Sequence, residues 1–382
     1  MKRRAFLRAG CTACLSGMVP LALAQEAWHA PARFARPDSA SDEGGMWAMM
    51  DREETKLRRS PFNLRASELQ GYVQEVACRL AKEHCPDLRV YLMRVPHFNA
   101  NMAPNGMMQV WSGLLLRVDN EAQLAAVLGH EIGHYLERHS VERLRTVKST
   151  AAFGQFLGLF GVAGLAGQVG LAAGLSAYSR EHERDADRIG TVLMYEAGYD
   201  VSQASKIWSN LALEVKARPD GGSRNPLFAS HPATDERVAT LAELGATYKG
   251  GETHQDVWQA KTTPFLHDWL LDEVKRGQHE ESLAFLTRAA ERSSGRAEYL
   301  FARGEVYRLR AGEGDLDAAL KDFQSAATLG GEPAEMHRSM GMIYRAHRRG
   351  ADARASFERY LQLAPQAPDA LMIRNYLEEL AQ

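Results

Sequence analysis

The sequence predicts a mainly helical protein with a small β-sheet in its N-terminal half and an all-helical C-terminal region. Apolar residues recur at helical spacing along much of the chain, which favours α-helices as the main element. Only Arg89–Val95 and Met107–Trp111 have the short, β-former-rich pattern of strands. From His267 onward, paired short helices repeat, which indicates a helical solenoid rather than a second mixed domain.

The C-terminal repeat is the clearest periodic pattern. Equivalent positions recur as Ser282, Leu286 and Ala289, then Ala319, Phe323 and Ala326, then Ala353, Phe357 and Tyr360, while Gly304 and Tyr307 recur as Gly341 and Tyr344. A helix–turn–helix period of about 34 residues is typical of tetratricopeptide repeats, which build concave peptide-binding surfaces. We therefore predict such a domain over residues 255–382, with a purely structural extension as the alternative.

A metal site is predicted on the amphipathic helix Leu124–His139, which contains the pattern His130-Glu131-Ile132-Gly133-His134. Two histidines four residues apart on a helix differ by about 40° in direction, so both rings can reach one ion. Imidazole is a preferred ligand of Zn²⁺, and the carboxylate of Glu131 lies beside the site. We expect one zinc ion per chain here; a chance match on a solvated helix is the alternative.

The third ligand is expected on the helix that begins near Arg180. Glu183 and Asp187 share one face of it, so Glu183 can complete a His₂Glu ligand set. Asp187 can then accept the free ring N–H of a ligand histidine and fix its tautomer. A surface helix with salt bridges is the alternative reading of this segment. His139 is expected at the surface or beside a ligand, and His182 is expected to point away from the metal.

The N-terminus has the features of an export signal. Lys2-Arg3-Arg4 precedes an apolar stretch that ends in Ala22-Leu23-Ala24, which predicts cleavage after Ala24. The paired arginines resemble a twin-arginine signal, with an ordinary secretory signal as the alternative. Either route predicts a periplasmic protein. An N-terminal arm with one short helix is expected over residues 25–60.

Cleavage would leave two cysteines, Cys78 and Cys85. An unbroken helix would hold their Cα atoms about 10 Å apart, too far for a disulfide. Pro86 biases Cys85 away from helical geometry, so a disulfide requires the helix to end near Lys82. A disulfide and a buried free Cys78 are both consistent with the sequence.

Two further features limit the partners. Residues 149–179 carry no charged side chain, and we expect a helical hairpin there that is either buried or lies on a membrane surface. The formal net charge is −2, and no basic run suggests a nucleic-acid partner.

Residues from about Leu64 to Leu244 resemble the forty-eighth metallopeptidase family of zinc proteases. The motifs that carry the resemblance are Asn99-Ala100, Pro104 and Gly106, then the His130-Glu131-x-x-His134 pattern, Glu183-x-x-x-Asp187, and His231-Pro232. One departure is Asn105, where the family usually has a second glycine. The arrangement with a repeat tail resembles that of family members in outer-membrane protein quality control.

This resemblance implies an α+β, zincin-like protease domain over residues 61–250. It assigns zinc to His130, His134 and Glu183, the catalytic base to Glu131, and a position near the metal to His231. His231 could be an inhibitory fourth ligand or a donor to the oxyanion. Unfolded or assembling envelope proteins are the expected partners, together with the outer-membrane assembly machinery through the tail. We expect an extended substrate to pair with an edge strand formed by Met107, Met108, Gln109, Val110 and Trp111.

Overall fold

The small sheet forms around the second predicted strand, and it has three strands rather than two. The computed structural model describes residues 28–146, 178–218, 231, 235–292 and 297–381. Strand β1 spans Arg89–Met93, β2 spans Ala100–Met102 and β3 spans Met107–Trp111, in the order β1-β3-β2. β3 pairs with β1 in parallel and with β2 antiparallel, so Val110 lies opposite both Leu92 and Ala100.

The prediction that Met107–Trp111 is the edge of the sheet is wrong. Met107, Met108, Gln109, Val110 and Trp111 form the central strand, all five are buried, and neighbouring strands occupy both sides. An incoming peptide can pair only with a strand that has a free side. The outer strands are β1 and β2, and β2 lies in a segment for which the sequence predicted no strand. Gly106, with φ of 86°, lets the chain reverse between β2 and β3.

Helices of the N-terminal part surround this sheet, and most of them lie where the apolar periodicity predicts. A 3-10 helix covers Lys82–Asp87. The α-helices are α1 (Asp42–Arg59), α2 (Ser67–Ala81), α3 (Ser112–Arg117), α4 (Glu121–Leu136), α5 (His139–Thr146), α6 (Arg180–Glu196), α7 (Ser202–Lys216) and α8 (Asp235–Thr247).

The N-terminal arm contains a helix that is longer than the short one expected. α1 begins after Ser41, whose side chain accepts a hydrogen bond from the backbone N–H of Gly44, and it runs for 18 residues. Its apolar face, with Met46 and Met50, packs against Ala103 and Met107 at the turn between β2 and β3. The arm therefore braces the sheet close to its outer strand.

The structure decides between the two alternatives for the cysteines. Cys78 and Cys85 form a disulfide, with Cα atoms 4.5 Å apart. α2 ends at Ala81, and Lys82 adopts a positive φ of 49° before the 3-10 helix. This break in the helix brings the two cysteines within the separation that a disulfide requires.

The C-terminal region is helical, as predicted. It contains α9 (Gln255–Lys275), α10 (His279–Arg292), α11 (Ala297–Arg310), α12 (Asp315–Leu329), α13 (Ala334–Ala346), α14 (Gly350–Leu363) and α15 (Ala370–Glu379). A Cβ atom added to Gly304 would meet the Phe323 ring at 2.4 Å, and one added to Gly341 would meet Phe357 at 2.4 Å. The same glycine–phenylalanine contact therefore closes both helix pairs. The tetratricopeptide assignment itself stays a prediction.

Several predicted features lie wholly or almost wholly outside the described residues. These are the export signal, its cleavage site and the apolar segment 149–179 except for its last two residues. Within the described ranges, none of the helices combines the length and hydrophobicity that a membrane crossing requires.

A buried ion network joins the N-terminal part to the C-terminal helices. Arg117 at the end of α3 is 1% exposed, and it donates to Glu214 of α7 at 2.6 Å and to Glu273 of α9 at 2.8 and 3.0 Å. Glu273 also accepts hydrogen bonds from Arg276 and Ser282, both at 2.7 Å. Every charge in this network has a partner, which a buried ion requires. The first C-terminal helices are therefore part of the same folded unit as the sheet.

We predict that Glu273→Gln destabilises the protein by about 3–5 kcal/mol, because it leaves buried guanidinium groups without a full counter-charge. Urea unfolding of the full chain measures the loss. Asp272→Asn is the matched control, since Asp272 pairs with the half-exposed Arg94 at the surface and should cost about 0–1 kcal/mol. Equal losses in the two variants would contradict the importance of the buried network.

The lowered pKa of Glu273 leads us to predict that stability depends on pH. Burial raises the pKa of Glu273, but Arg117 and Arg276 outweigh burial and hold it at about 2, below its usual 4.5. Because the pKa is lower in the folded state, the contribution is complete above about pH 4.5 and is lost as the pH falls towards 2. Glu273→Gln should therefore lose less stability than the wild type over that interval.

Candidate metal centre

The site depends on a close approach of α4 to α6. A Cβ atom on Gly129 would lie 3.1 Å from the carbonyl oxygen of Gly190, and one on Gly133 would lie 3.0 Å from that of Ala186. A Cβ on Gly190 would in turn meet the backbone nitrogen of His130 at 2.9 Å. Only glycine leaves room for backbones this close. The contact places the histidines of α4 directly opposite the acidic face of α6.

Four side chains converge between these helices, and all four are buried. His130, His134, Glu183 and His231 each offer a ligand atom, and these atoms all lie within 4.8 Å of one another. His130 Nε2 lies 3.1 Å from His134 Nε2 and 3.1 Å from His231 Nδ1. Glu183 Oε1 lies 2.9 Å from His231 Nδ1 and 3.3 Å from His134 Nε2. The three ligands expected from the sequence thus meet, with His231 as a fourth.

These separations fit a tetrahedral zinc ion. Ligand atoms about 2.0–2.1 Å from zinc at tetrahedral angles lie about 3.3 Å from one another, close to the separations found here. The hydrogen bonding gives a second argument. Asp187 Oδ1 lies 2.9 Å from His130 Nδ1, and a carboxylate there accepts the Nδ1 proton and leaves a lone pair on Nε2. That lone pair points at other ligand atoms, an arrangement that a shared cation stabilises.

Both ligand histidines have a buried partner on their other nitrogen. Asp187 takes the role expected for it beside His130. His134 Nδ1 lies 2.9 Å from His139 Nδ1, so His139 lies next to a ligand and is buried rather than at the surface. His182 stacks on His139 at 4.2 Å and pairs with Glu142, outside the ligand cluster as predicted. Such partners set the tautomer and orientation of metal-binding rings.

Arg237 is the main site residue that the sequence reasoning missed. It is buried, donates to both oxygens of Asp187 at 2.7 Å, and lies 3.1 Å from Glu183. Its guanidinium stacks on the Trp208 ring of α7 at 3.8 Å. The sequence did contain a signal for it, because Arg237 and Leu241 lie four residues apart on the buried face of α8. A cation on a buried face needs a buried anionic partner.

The electrostatics separate the two glutamates. Burial raises the pKa of Glu131 to about 7, which suits a group that must both accept and release a proton. Burial acts in the same direction on Glu183, but His231 and Arg237 outweigh it and hold the pKa of Glu183 well below its usual value. Glu183 is therefore an anionic ligand, whereas Glu131 is poised to exchange a proton.

The outer strand β2 faces this centre. The backbone N–H of Met102 donates to the Glu131 carboxylate. A backbone N–H points to one side of its strand, so the side of β2 away from β3 is directed at Glu131. Met107–Trp111 is separated from the site by β2.

The matched regions of known proteins agree with this geometry. Residues 63–244 match the model of peptidase family M48. These residues belong to peptidase family M48. The family is one of zinc-dependent metallopeptidases, and all four residues of the cluster lie within the matched region. Zinc is therefore the metal that the M48 domain of this chain uses.

Two relatives are similar to this chain over part of their length. The beta-barrel assembly-enhancing protease of Yersinia pestis is 26% identical over 289 residues, which cover 66% of this chain and 58% of that protein. The mitochondrial metalloendopeptidase OMA1 of Schizosaccharomyces pombe is 31% identical over 179 residues, which cover 45% of this chain and 52% of that protein. The chain thus spans about half the length of the curated relatives it matches.

We predict that Glu183→Ala loses zinc and that Asp187→Ala weakens zinc binding by about 10–100-fold, because Asp187 orients a ligand without touching the metal. Competition with a chromophoric chelator measures both effects. Asp185→Ala is the matched control on α6, since Asp185 is half-exposed and pairs with Arg188 at the surface. Zinc retained in full by Glu183→Ala would remove that residue from the ligand set.

Proposed function

We propose that this chain is an exported zinc-dependent endopeptidase that cleaves unfolded or stalled envelope proteins. The observation that carries the proposal is the buried cluster of His130, His134, Glu183 and His231 with Glu131 beside it. A zinc ion held by these four side chains would polarise a carbonyl and lower the pKa of water, which is the chemistry that peptide hydrolysis needs. Glu131 would supply the proton transfer, and β2 would position the substrate.

Glu131 is the proposed proton carrier. Its carboxylate accepts a proton from the attacking water and returns it to the leaving amine, so one group acts first as base and then as acid. Its pKa of about 7 suits both steps near neutral pH. Glu131 Oε1 is buried and lies 3.5 Å from His231 Nε2, so the proton carrier faces the side chain at the fourth corner of the cluster.

The outer side of β2 is the proposed docking edge for the substrate. A peptide that pairs with Ala100–Met102 adds a strand to the sheet and runs past Glu131, because that side of β2 faces the carboxylate. Strand addition favours extended chains, and an unfolded protein can present one whereas a folded protein generally cannot. The geometry therefore favours unfolded substrates. Backbone pairing with β2 does not by itself require a particular substrate sequence.

Export and client recruitment complete the proposal. The twin-arginine-like N-terminus supports export to the periplasm, and the Cys78–Cys85 disulfide supports an oxidising compartment. The repeated helix pairs after Gln255 support a tetratricopeptide surface that recruits envelope proteins or the outer-membrane assembly machinery. Two relatives named as beta-barrel assembly-enhancing proteases, from Yersinia pestis and Escherichia coli, support a protease role in envelope protein assembly.

A chaperone-like binding module with a silent zinc site is the alternative function. We predict that Glu131→Gln keeps its fold and zinc but loses proteolysis of casein, because only the proton carrier is removed. Zinc content and cleavage are measured on the same preparations, with Glu137→Gln, on the exposed end of the same helix, as the control. A variant that keeps more than a few per cent of the wild-type rate would exclude Glu131 as the base. A zinc-loaded wild type that cleaves no unfolded substrate would favour the binding module.

His231 is proposed as a removable fourth ligand that keeps the resting enzyme inactive. It occupies the fourth corner of the cluster, 3.1 Å from His130 Nε2 and 2.9 Å from Glu183 Oε1, where a catalytic zinc keeps a position for water. We predict that His231→Ala raises basal casein cleavage without changing zinc content. If His231 instead donates to the oxyanion, the rate falls, as for other oxyanion donors. An unchanged rate would contradict both roles.

A further inference from the structure

A groove between α6 and α8 opens directly beside the metal centre. It encloses a cavity of about 180 Å³, and its floor includes Glu183 and Arg237 of the centre. Tyr178, Arg184 and Thr240 form its walls. The groove thus reaches from the surface to a metal ligand, although none of its wall residues has a part in the proton transfer.

Helical spacing explains why the groove has these walls. Glu183, Arg184 and Asp187 lie on one side of α6, and Arg237 and Thr240 are one turn apart on α8. Arg184 and Glu236 form an ion pair of 2.9 Å between the two helices, with both side chains more than half exposed. The groove therefore has a charged, solvated mouth and a floor that belongs to the metal centre.

The interior favours an apolar occupant. Its buried charges are already paired, since Arg237 donates to Asp187 at 2.7 Å and Glu183 lies 2.9 Å from His231. Arg180 also lines the groove, but it is exposed and its charge is solvated. A charged side chain that reached the buried floor would lose its hydration without gaining a free counter-charge there. An apolar side chain would instead pack against the Tyr178 ring and the methyl group of Thr240. A cavity on the order of 150 Å³ is large enough for a benzene ring.

We propose that this groove is a substrate subsite, which holds an aromatic or large aliphatic side chain next to the scissile peptide bond. The inference rests on the proposed endopeptidase function and adds a preference that strand pairing with β2 alone would not produce. The floor of the groove fixes which substrate residue fills it, because a side chain that contacts Glu183 must belong to a residue close to the metal. Thr240 is then a specificity-determining residue.

The test narrows the groove without touching the metal centre. Two otherwise identical peptides carry Phe or Ala at the position that casein digestion shows to be selective. The wild type should prefer the Phe peptide by about 10-fold or more in kcat/KM, as pockets of this kind do. Thr240→Phe should reduce that preference below about 2-fold. Thr247→Phe makes the same change on an exposed turn of α8 and should leave the preference intact. An unchanged preference in zinc-loaded Thr240→Phe would overturn the subsite.

A binding measurement tests the subsite independently of peptide cleavage. Zinc-loaded Glu131→Gln protein is titrated with fluorescent forms of the two peptides, and the Phe peptide should bind about 10-fold more tightly. Adding Thr240→Phe should weaken the Phe peptide by about that factor and leave the Ala peptide unchanged. Discrimination in binding without any cleavage by the wild type would support the groove while rejecting the endopeptidase. Equal binding of both peptides to Glu131→Gln would reject the groove whatever the activity.

Discussion

The backbone contact between α4 and α6 is the constraint on which the rest of the site depends. Gly129 and Gly133 on one helix and Gly190 on the other bring the two backbones together along one seam. A Cβ atom at any of these positions would meet the opposite backbone at 2.9–3.1 Å, so the helices would have to move apart by about a few tenths of an ångström. The ligand atoms tolerate no such shift, because zinc requires its donors within about 0.2 Å of their ideal distance. The small residues of this seam thus specify the site as directly as the histidines do.

Charge balance explains why a buried arginine belongs in this centre. Glu131, Glu183 and Asp187 contribute three negative charges when ionised, and Arg237 contributes one positive charge. A divalent ion brings this sum to zero. Protons on Glu131, whose pKa burial raises to about 7, and on His231, whose pKa the carboxylates of Glu183 and Glu131 raise, also reduce the negative charge of the cluster. Arg237 also holds Asp187 in the orientation that fixes the tautomer of His130, which links charge balance to ligand geometry.

The sequence was informative wherever local chemistry determines structure. Helical spacing placed His130 and His134 on one face, and the interval from Glu183 to Asp187 matched a ligand and its neighbour. The start of α4 is equally local, since Asn120 caps it by accepting a hydrogen bond from the Gln123 N–H. Each of these inferences needs only the geometry of a single helix. The repeated helix pairs were also visible, since Gly304 recurs as Gly341 after 37 residues and Phe323 recurs as Phe357 after 34.

What the sequence could not supply was the pairing of distant segments. β2 is three residues long and has no periodic pattern, so Met107–Trp111 was taken as the outer strand although it lies in the middle of the sheet. Arg237 was overlooked because its partners, Asp187 and Trp208, are distant in sequence. The position of His139 was left open for a different reason, since its spacing from His134 fits either a surface residue or a neighbour of the ligand. Tertiary packing decides all three.

The junction at Arg117 bears on how a repeat domain could serve a protease. Glu273 of α9 and Ser282 of α10 complete a network whose centre, Arg117, lies three residues before the cap of α4. Asp119 in that short connection pairs with Arg292 of α10. The helices that would recruit clients are therefore attached to the N-terminal end of the helix that carries His130, Glu131 and His134. Removing α9 and α10 would leave buried charges of the N-terminal part without their partners, so a truncation that separates recruitment from catalysis must keep these two helices.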